Sequence, residues 1–284
     1  MVQMEGGRGE TNLIRKLTAA DIEEVTGMET GIEDDYVIRI FSKLIEENYM
    51  LGYFEAHTLV GIAGVTIYEG EVAVLGRLRT HKEYRGRGIA STLMNQLKKE
   101  SFHSLDMDWV GYATEMNNIA GNRMARHLQM NLEAIVVSSR ISPGAVEGTH
   151  DTQPYRSDFS RNSKKKYLEE CSEKERLPFF PHSIYYPLPY VPKLTVGYLD
   201  SIEMFQNDLG SFMIMKEEKG ASYLHVKVWN ERTLHSKEMW QIVNAEAERE
   251  ARSIWIDLPL DQANWLEAQS HQTIWHLYGK KRSM

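Results

Sequence analysis

A short run of alternating arginines and glycines, Arg85-Gly86-Arg87-Gly88, has the residue types and spacing that could do chemistry. Because glycine has no Cβ, the oxygen atoms of an anion can approach the backbone closely, and the turn can take positive φ at little cost. The arginines add fixed positive charge. Directly after the run, apolar residues recur at helical spacing in residues 89–97. The first free N–H groups of that helix would point into the turn, so the run predicts an anion site.

The run also allows two interpretations other than an anion site. The turn could simply cap a surface helix, with both arginines solvated. A dinucleotide-binding loop is the competing glycine-rich motif, and it requires a third glycine and an acidic residue about twenty positions further on. The chain has no G-x-G-x-x-G, and Glu100 falls inside the predicted helix, which argues against a dinucleotide site.

The residues before the run, 71–80, are rich in Val and Leu and contain no Pro, which predicts a strand that enters a buried sheet. Arg77 and Arg79 alternate with Leu78, so their side chains are expected on the face opposite to Leu78. If that face lines an acceptor cleft, the arginines would suit an acceptor that carries a carboxylate or phosphate. If the face packs under a helix, they would be paired with nearby acids. Arg77 is accordingly a candidate substrate-binding residue.

The sequence of residues 78–90, LRTHKEYRGRGIA, resembles the acyl-CoA-binding signature of the GNAT N-acetyltransferases. The family pattern is Arg or Gln, two residues, Gly, one residue, and then Gly or Ala, and Arg85, Gly88 and Ala90 fill those positions. In that family the turn holds the pyrophosphate of CoA, and the main chain of the preceding strand bonds the pantetheine arm. The resemblance therefore implies acetyl-CoA as the cosubstrate. The cofactor-binding residues that it implies are Leu78, Arg79, Thr80, Arg85, Gly86, Arg87, Gly88, Ile89, Ala90, Asn117 and Asn122.

A later segment supports the same resemblance and departs from it at one position. GNAT members commonly carry Asn-x-x-Ala-x-x-Leu-Tyr there, and the tyrosine hydroxyl lies near the CoA sulfur as a general acid. Asn122, Ala125 and Leu128 match, but Gln129 occupies the tyrosine position. Glutamine can donate a hydrogen bond but cannot give up a proton at a useful pKa. Asn122 could contact the pantetheine arm or the end of the neighbouring strand, or it could be a polar residue on the helix surface.

Acetyl transfer to an amine needs a polarised carbonyl and an amine with a free lone pair. Main-chain N–H groups near Leu78 could polarise the carbonyl. A lysine-like amine, with a pKa of about 10.4, is mostly protonated at neutral pH, and a carboxylate that acts through water is the usual remedy. The candidate bases are Glu115, at the end of the strand beside the cofactor strand, and Glu71, at the far end of the cofactor strand. Each could also be an ordinary exposed residue at a strand end.

The order of the predicted elements over residues 12–141 is β-α-α-β-β-β-α-β-α-β, which is the GNAT order. Within it, residues 34–47 are predicted to form one helix, and residues 50–68 a hairpin that turns at Ala56 and His57. The expected fold class is α+β. It is the GNAT acyl-CoA N-acyltransferase fold, a mixed, mostly antiparallel sheet flanked by helices, followed by a smaller GNAT-like α/β domain.

The expected domains are a GNAT acetyltransferase domain that binds acetyl-CoA at residues 1–145, a linker at 146–192 and a degenerate GNAT-like domain at 193–284. Pro, Gly, Ser and charged residues loosen the pattern across the linker. The last third repeats the order strand, strand, helix, strand, helix, strand of the second half of a GNAT domain. Its junction between strand and helix, Asn230–His235, contains no glycine, so one cofactor per chain is predicted.

Composition excludes several other classes of protein. The 284 residues carry a net charge of −7, and no basic field indicates a nucleic-acid partner. The single cysteine excludes an internal disulfide framework. No apolar run is long enough to span a bilayer, and the N-terminus lacks the apolar core of a signal peptide, so no membrane partner and a cytoplasmic location are expected. Four histidines of the last third lack a metal-ligand spacing, so they are expected to be structural and no metal site is predicted: His225, His235, His271 and His276.

Together these features predict a cytoplasmic N-acetyltransferase of GNAT type. It would transfer the acetyl group of acetyl-CoA to a primary amine by direct attack, through a tetrahedral intermediate. The alternative is a non-catalytic module that binds acyl-CoA or a partner and has lost the acid. Turnover with a panel of amines separates the two. The acceptor amine, the general base and the oligomeric state stay open at this point.

Overall fold

The chain forms two compact units in the computed structural model, which describes residues 2–5, 11–150, 153–174, 179–184, 186–188 and 196–282. The first unit comprises Met1–Ala113, Ile119–Asn131 and Tyr278–Met284, and the second comprises Thr114–Asn118 and Leu132–Leu277. These boundaries differ from the predicted ones at both ends. Residues 132–145 go with the second unit, and the last seven residues of the chain belong to the first.

The first unit is built on a sheet in which neighbouring strands run antiparallel up to β5, while β5 and β6 run parallel. Strands β3 and β4 form the predicted hairpin, in which Ala56 and His57 take positive φ of 49° and 70°. Met50 and Leu51, successive and fully buried on β3, belong to different core clusters, so both faces of the sheet are covered. The strands are β1 Val2–Glu5, β2 Thr11–Lys16, β3 Tyr49–Glu55, β4 Thr58–Tyr68, β5 Val72–Thr80 and β6 Trp109–Glu115.

Helices supply the apolar cover for the two faces. Helices α1 to α3 join the cluster of Met50, and α4 and α5 join the cluster of Leu51. The predicted single helix over residues 34–47 is two helices, because Ile40, with φ of −103° and ψ of 16°, departs from helical geometry. The bounds are α1 Ile22–Thr26, α2 Tyr36–Arg39, α3 Phe41–Glu47, α4 Ile89–His103 and α5 Ile119–His127.

The second unit is also a mixed sheet packed against helices. Its strands follow the order β7-β13-β12-β11-β10, and β12 and β13 are the parallel pair. Helix α9 buries Met239, Trp240 and Val243 in the same core cluster as Phe212 and Val226 of the sheet. The elements are β7 Asn131–Ile141, α6 Arg161–Lys174, β8 Phe180–Ser183, β9 Tyr186–Leu188, α7 Val196–Ser201, β10 Ile202–Asn207, β11 Gly210–Glu218, β12 Ser222–Val228, α8 Glu231–Leu234, α9 Lys237–Arg249, β13 Ser253–Pro259 and α10 Leu260–Ala263. The last strand, β14 Ser270–Lys281, belongs to this unit up to Leu277 and to the first unit from Tyr278.

The described part of the predicted linker is folded into the second unit. It contains α6 and the small antiparallel pair of β8 and β9. Phe180 packs in one core cluster with Leu199, Met204 and Met213. The second unit is therefore no smaller than the first. Residues 151–152, 175–178, 185 and 189–192 of the predicted linker lie outside the described residues, as do residues 193–195 of the predicted C-terminal domain.

The mixed, mostly antiparallel sheet flanked by helices confirms the predicted fold class. Among the described residues, no helix has the length and apolar character needed to cross a membrane.

Candidate functional site

A β-bulge interrupts strand β5 of the first unit. The pairing of β5 with β4 changes register between Ile62 and Gly64, and Arg77 takes a φ of 56°. A non-glycine residue in the left-handed region is strained, and such strain collects at functional sites. The extra residue of a bulge also changes which face the following side chains take. Leu78 nevertheless packs against the cluster of Leu51, whereas Arg79 pairs with Ile62 of the other cluster and bonds Asp35, so these two side chains take opposite faces as predicted. A contact between Arg77 and the acceptor stays a prediction.

The parallel ladder between β5 and β6 ends just before this bulge. Its four described pairs finish with Leu75 opposite Tyr112. Strand β5 itself continues through Leu78, Arg79 and Thr80, beyond its last described pair with β6. Their main-chain groups on that side can bond a ligand that lies along the strand. Gly76 leaves space beside it, since an added Cβ there would meet no described atom within 4 Å.

The glycine run follows β5 and a single 3₁₀ turn, and α4 begins at Ile89, where the sequence predicts a helix. Gly86 and Gly88 have φ of 79° and 81°, a region in which any other residue would be strained. A Cβ added to either would meet no described atom within 4 Å. Gly88 is the N-cap of α4 and has no side chain to accept from the first N–H groups of the helix. These groups, together with the helix dipole, form an open cradle for an anion.

The two arginines of the run are held by other parts of the first unit. Arg85 donates through Nη2 to the main-chain oxygen of Thr30. Arg87 Nη1 lies 3.2 Å from Glu55 Oε1, and the Arg87 guanidinium lies 4.6 Å from the centre of the Tyr84 ring. Both arginines therefore place positive charge beside the turn while their side chains are anchored.

Arg79, predicted to bind the cofactor, pairs with a buried carboxylate. Its Nε lies 2.6 Å from Asp35 Oδ2, and the two side chains are 16% and 4% exposed. Thr30 Oγ1 donates to the same oxygen at 2.9 Å, and the N–H of Val37 donates to Asp35 Oδ1 at 3.1 Å. Burial alone would raise the pKa of Asp35, but the bonds from Arg79 and Thr30 outweigh it, and the pKa is lowered. Sequence reasoning missed Asp35, whose local signal is its type and place at the N-cap of α2.

A cleft of about 460 Å³ lies in the first unit beside this network. Gly31 connects the cleft with the turn, because a Cβ added to Gly31 would lie 3.6 Å from Arg85 Nη2. Glu29 forms an ion pair with Lys82 at one side of it. The cleft can therefore hold a small ligand next to the anion cradle. Its lining residues are Met28, Glu29, Thr30, Gly31, Ile32, Asp34, Asp35, Ile38, Arg39 and Lys82.

Asn122 lies on the buried face of α5, so its interpretation as a residue of the helix surface is wrong. It is 9% exposed, and Ala125 and Leu128 of the same motif are fully buried. The hydroxyl of Tyr278, near the end of β14, donates to Asn122 Oδ1 at 2.8 Å. Sequence reasoning missed Tyr278, because 156 positions separate it from Asn122 and no local motif marks it.

Gln129 terminates α5 instead of continuing it. Its φ is 55°, its N–H donates to Arg126 O at 3.0 Å, and the N–H of Met130 donates to Ala125 O at 3.1 Å. This pair of bonds is a Schellman motif, with Gln129 in the left-handed position that follows a helix. The position that carries the acid in GNAT relatives is therefore a helix-ending position here, and the Gln129 side chain is exposed.

The two candidate bases lie in different units. Glu71 lies seven residues before Leu78 along β5, about 20 Å away in extended chain, so it is far from the turn. Glu115 and Asn117 belong to the second unit and are exposed, and their roles stay predictions. The other predicted cofactor residues lie on β5 and in the first turn of α4: Leu78, Thr80, Ile89 and Ala90.

The junction before α9, which corresponds to the turn in the second unit, is closed by the chain itself. The side chain of Ser236 caps α9 by accepting from the N–H of Met239 at 3.1 Å. The N–H of Lys237 donates to the main-chain oxygen of His150 at 2.9 Å. Gly148 packs so closely that an added Cβ would lie 2.2 Å from Lys237 N. These contacts favour the prediction of one cofactor per chain.

Charged side chains of the second unit meet in its core. His225 Nδ1 lies 2.7 Å from Glu217 Oε1, and His225 Nε2 lies 3.2 Å from Asp257 Oδ2. Lys227 Nζ donates to the main-chain oxygen of Pro181 at 2.7 Å. Burial lowers the pKa of Lys227 to about 8, although the carboxylates of Glu217 and Asp257 act to raise it. Burial would raise the pKa of Glu217, but His225 and Lys227 bring it down to about 2.

Among the described residues, no group of three or more His, Cys, Asp or Glu side chains could hold a metal ion. The network links β11, β12 and β13, which carry Glu217, His225 and Asp257.

Comparisons with known proteins agree with the geometry of the first unit. Residues 18–128 match the sequence model of the acetyltransferase (GNAT) family. No curated protein matches the chain. A solved GCN5-related N-acetyltransferase from Sphaerobacter thermophilus matches with a TM-score of 0.58 at 13% identity, over 95% of this chain and 95% of that chain. One from Kribbella flavida matches with a TM-score of 0.54 at 16% identity, over 96% of this chain and 72% of that one. At such identities the likeness shows the fold.

Proposed function

We propose that the chain transfers the acetyl group of acetyl-CoA to a primary amine. The premise is that residues 18–128 are a GNAT acetyltransferase domain and that the chain is an acyltransferase. The observation that carries the proposal is the open turn at Gly88. It is the N-cap of a 15-residue helix, it has positive φ, and no described atom occupies the space where its side chain would be. A pyrophosphate fits such a helix N-terminus, and the bulged strand before it offers main chain to an extended arm.

In this proposal the first N–H groups of α4 bind the pyrophosphate, and the arginines of the run add charge. Main-chain groups of residues 76–80 bond the pantetheine arm, and an N–H group near Leu78 polarises the thioester carbonyl. The amine nitrogen attacks that carbon, the C–S bond breaks, and the sulfur takes a proton from water or from the new ammonium. Because a thiol has a parent pKa of about 8.5, the thiolate can leave without an acid at Gln129.

The amine must lose its proton before it attacks, and we assign this step to a carboxylate that acts through water. Glu115 and Glu71 stay the two candidates for this carboxylate. The cleft between Met28 and Lys82 is the proposed place for the acceptor. Arg77 is not among the residues that line this cleft, and its contact with an acidic group of the acceptor stays a prediction.

One observation favours the second candidate function, a module that binds acyl-CoA without turning it over. Gln129 ends α5 and replaces the family acid, so the site lacks that proton donor. Such a module would keep the open turn and the bulged strand and would use them for binding alone.

Turnover decides between the two functions. Purified protein would be incubated with acetyl-CoA and a panel of small amines, amino acids and peptides, with CoA thiol release and product mass as the two measurements. We expect acetylated product from at least one amine. Binding of acetyl-CoA without product from any amine would establish the binding module, and no binding at all would contradict both functions.

A further inference from the structure

Residues 28–35, the cleft wall, supply most of the lining of the cleft in the first unit. This wall is bonded near both of its ends to the segment that runs into the glycine turn. Near its start, the N–H of Lys82 donates to the main-chain oxygen of Glu29 at 2.8 Å, and the two side chains form an ion pair. At its end, the Asp35 carboxylate pairs with Arg79 of β5. The position of the wall is therefore set by the strand and the turn.

Thr30 is the residue of the wall that contacts the turn directly. Its main-chain oxygen accepts a hydrogen bond from Arg85, and its hydroxyl donates to Asp35 Oδ2 at 2.9 Å. Thr30 and Asp35 are both buried. Asp35 also accepts from Arg79 Nε at 2.6 Å and from the N–H of Val37 at 3.1 Å. Because moving a buried carboxylate away from these donors would leave them unsatisfied, Asp35 holds Thr30 firmly against Arg85.

A second set of the same three residue types lies elsewhere in the first unit. Arg15 of β2 pairs with Asp21 at 2.6 Å, and the hydroxyl of Thr18 donates to Asp21 Oδ2 at 3.1 Å. Asp21 is buried like Asp35, but none of the three residues lines the cleft. Their described hydrogen bonds and ion pairs do not include residues 85–88. This second set therefore separates what such a buried ion pair does for stability from what its place beside the cleft adds.

We propose that Asp35 is a positioning residue that couples the anion site at the glycine turn to the acceptor cleft. An anion at the turn attracts the Arg85 guanidinium and fixes it. Arg85 then holds Thr30 from one side while Asp35 holds it from the other, so binding at the turn orders the cleft wall. An ordered wall gives up less conformational entropy when the acceptor binds, which favours acceptor binding beside a bound cofactor. The proposal rests on the proposed binding of acetyl-CoA at the turn.

Asp35→Asn tests the coupling, because it removes the charge and nearly keeps the shape of the side chain. Hydrogen–deuterium exchange would be measured with and without CoA, and the affinity for CoA by calorimetry. In the unaltered protein, we expect CoA to slow the exchange of residues 86–92 and of residues 29–35, the latter by about fivefold. In the variant, residues 86–92 should keep this response and residues 29–35 should lose it. The affinity for CoA should fall by no more than the same factor, because coupling is reciprocal.

Asp21→Asn is the matched control, since it also removes a buried carboxylate that is bonded to an arginine and a threonine. It should lower the temperature of thermal unfolding, as Asp35→Asn does, and keep both responses to CoA. Thr30→Val removes only the hydroxyl that reaches Asp35, keeps a β-branched side chain, and should lose the response of residues 29–35 alone. It gives an independent answer if Asp35→Asn does not fold.

Two results would overturn the positioning role of Asp35. One is a normal response of residues 29–35 in folded Asp35→Asn or Thr30→Val, which would make the ion pair a matter of stability alone. The other is unchanged or faster exchange of residues 29–35 in the unaltered protein while CoA slows residues 86–92. If CoA does not slow residues 86–92 of the unaltered protein, the proposed function on which the coupling rests is contradicted instead.

Discussion

Helices α4 and α9 each follow a strand of a parallel pair, and their N-termini are built in opposite ways. At α4 the N-cap is Gly88, with no side chain, positive φ and open space around it. At α9 the N-cap is Ser236, whose hydroxyl accepts from the helix, while the oxygen of His150 takes the N–H of Lys237. The first helix end can therefore bind an external anion, whereas the second has satisfied the same groups from its own chain.

Strands β5 and β12, which precede these two helices, differ in how regularly they pair with their neighbours. Strand β5 carries a register shift and a strained Arg77, so it departs from a regular ladder where a ligand would lie. Strand β12 pairs with β11 from Phe212–Val228 to Glu218–Ser222 without a shift. Two similar strand–helix connections thus leave one helix N-terminus open and close the other. The difference resides in a glycine turn and a bulge.

The largest effect is expected from Gly88→Glu. A carboxylate at this position occupies the space of a phosphate oxygen and repels its charge, so affinity for acetyl-CoA should fall by about a thousandfold or more. Calorimetric titration measures the affinity, and thermal unfolding checks that the fold persists. The matched control is Lys237→Glu, an exposed position in the first turn of α9, which should leave the affinity unchanged. Normal binding by folded Gly88→Glu would show that this turn is not the site.

The second-largest effect is expected on the free energy of unfolding, from a change at Glu217 in the core of the second unit. The pKa of Glu217 is lowered to about 2 because His225 and Lys227 outweigh its burial, so its contribution is complete above its ordinary pKa of 4.5 and is lost as the pH falls toward 2. Glu217→Gln should therefore lower the free energy of unfolding by about 3 kcal/mol at pH 7, and the deficit should shrink between pH 4.5 and 2.

Chemical denaturation at several pH values measures this deficit. Affinity for acetyl-CoA at pH 7 should not change, because the side chain lies in the unit without the open turn. A deficit of the same size at pH 2 would contradict the assigned ion pair.

Removing the cap of α9 should have a smaller effect. Ser236→Ala deletes the acceptor of the Met239 N–H, and loss of an N-cap typically costs about 1 kcal/mol. Denaturant unfolding would show the loss, and acetyl-CoA stoichiometry should stay at one per chain. The appearance of a second binding event in this variant would mean that the cap, and not the packing of residues 148–150, closes the junction.

The smallest effect is expected from Gln129→Ala. Because Gln129 ends α5 and is exposed, the change should alter kcat by less than about threefold, far below the hundredfold or more that loss of a general acid produces. The rate should rise with pH as the amine or its base loses a proton, with the same profile in both proteins. Once an acceptor is known, kcat against pH measures this. A loss of a thousandfold in a folded protein that binds CoA would make Gln129 a direct contact of the transition state.

Local signals in the sequence predicted the parts of the site that depend on neighbouring residues. The helix that begins at Ile89, the glycines that need positive φ and the hairpin turn at Ala56 and His57 all follow from residue type and short-range periodicity. The lack of glycine at Asn230–His235 predicts that the last third binds no cofactor, and this stays a prediction, because the contacts that close the junction come from Ser236 and from residues 148–150.

Features that depend on distant partners could not be predicted in this way. The bulge at Arg77 depends on how β5 pairs with β4, and the residue types near Arg77 do not indicate it. The bond between Arg79 and Asp35 spans 44 positions, and the bond between Tyr278 and Asn122 spans 156. Gln129 was matched to a motif position by spacing alone, yet the helix ends there, so its conformation differs from that of the residue it replaces.

Hydrogen–deuterium exchange with and without CoA, combined with calorimetric stoichiometry, tests the difference between the two helix ends most directly. The account predicts one CoA per chain and slower exchange of the amides of residues 86–92 on binding, with no change at residues 236–240. Two CoA molecules per chain, or protection at the start of α9 and none at the start of α4, would contradict it.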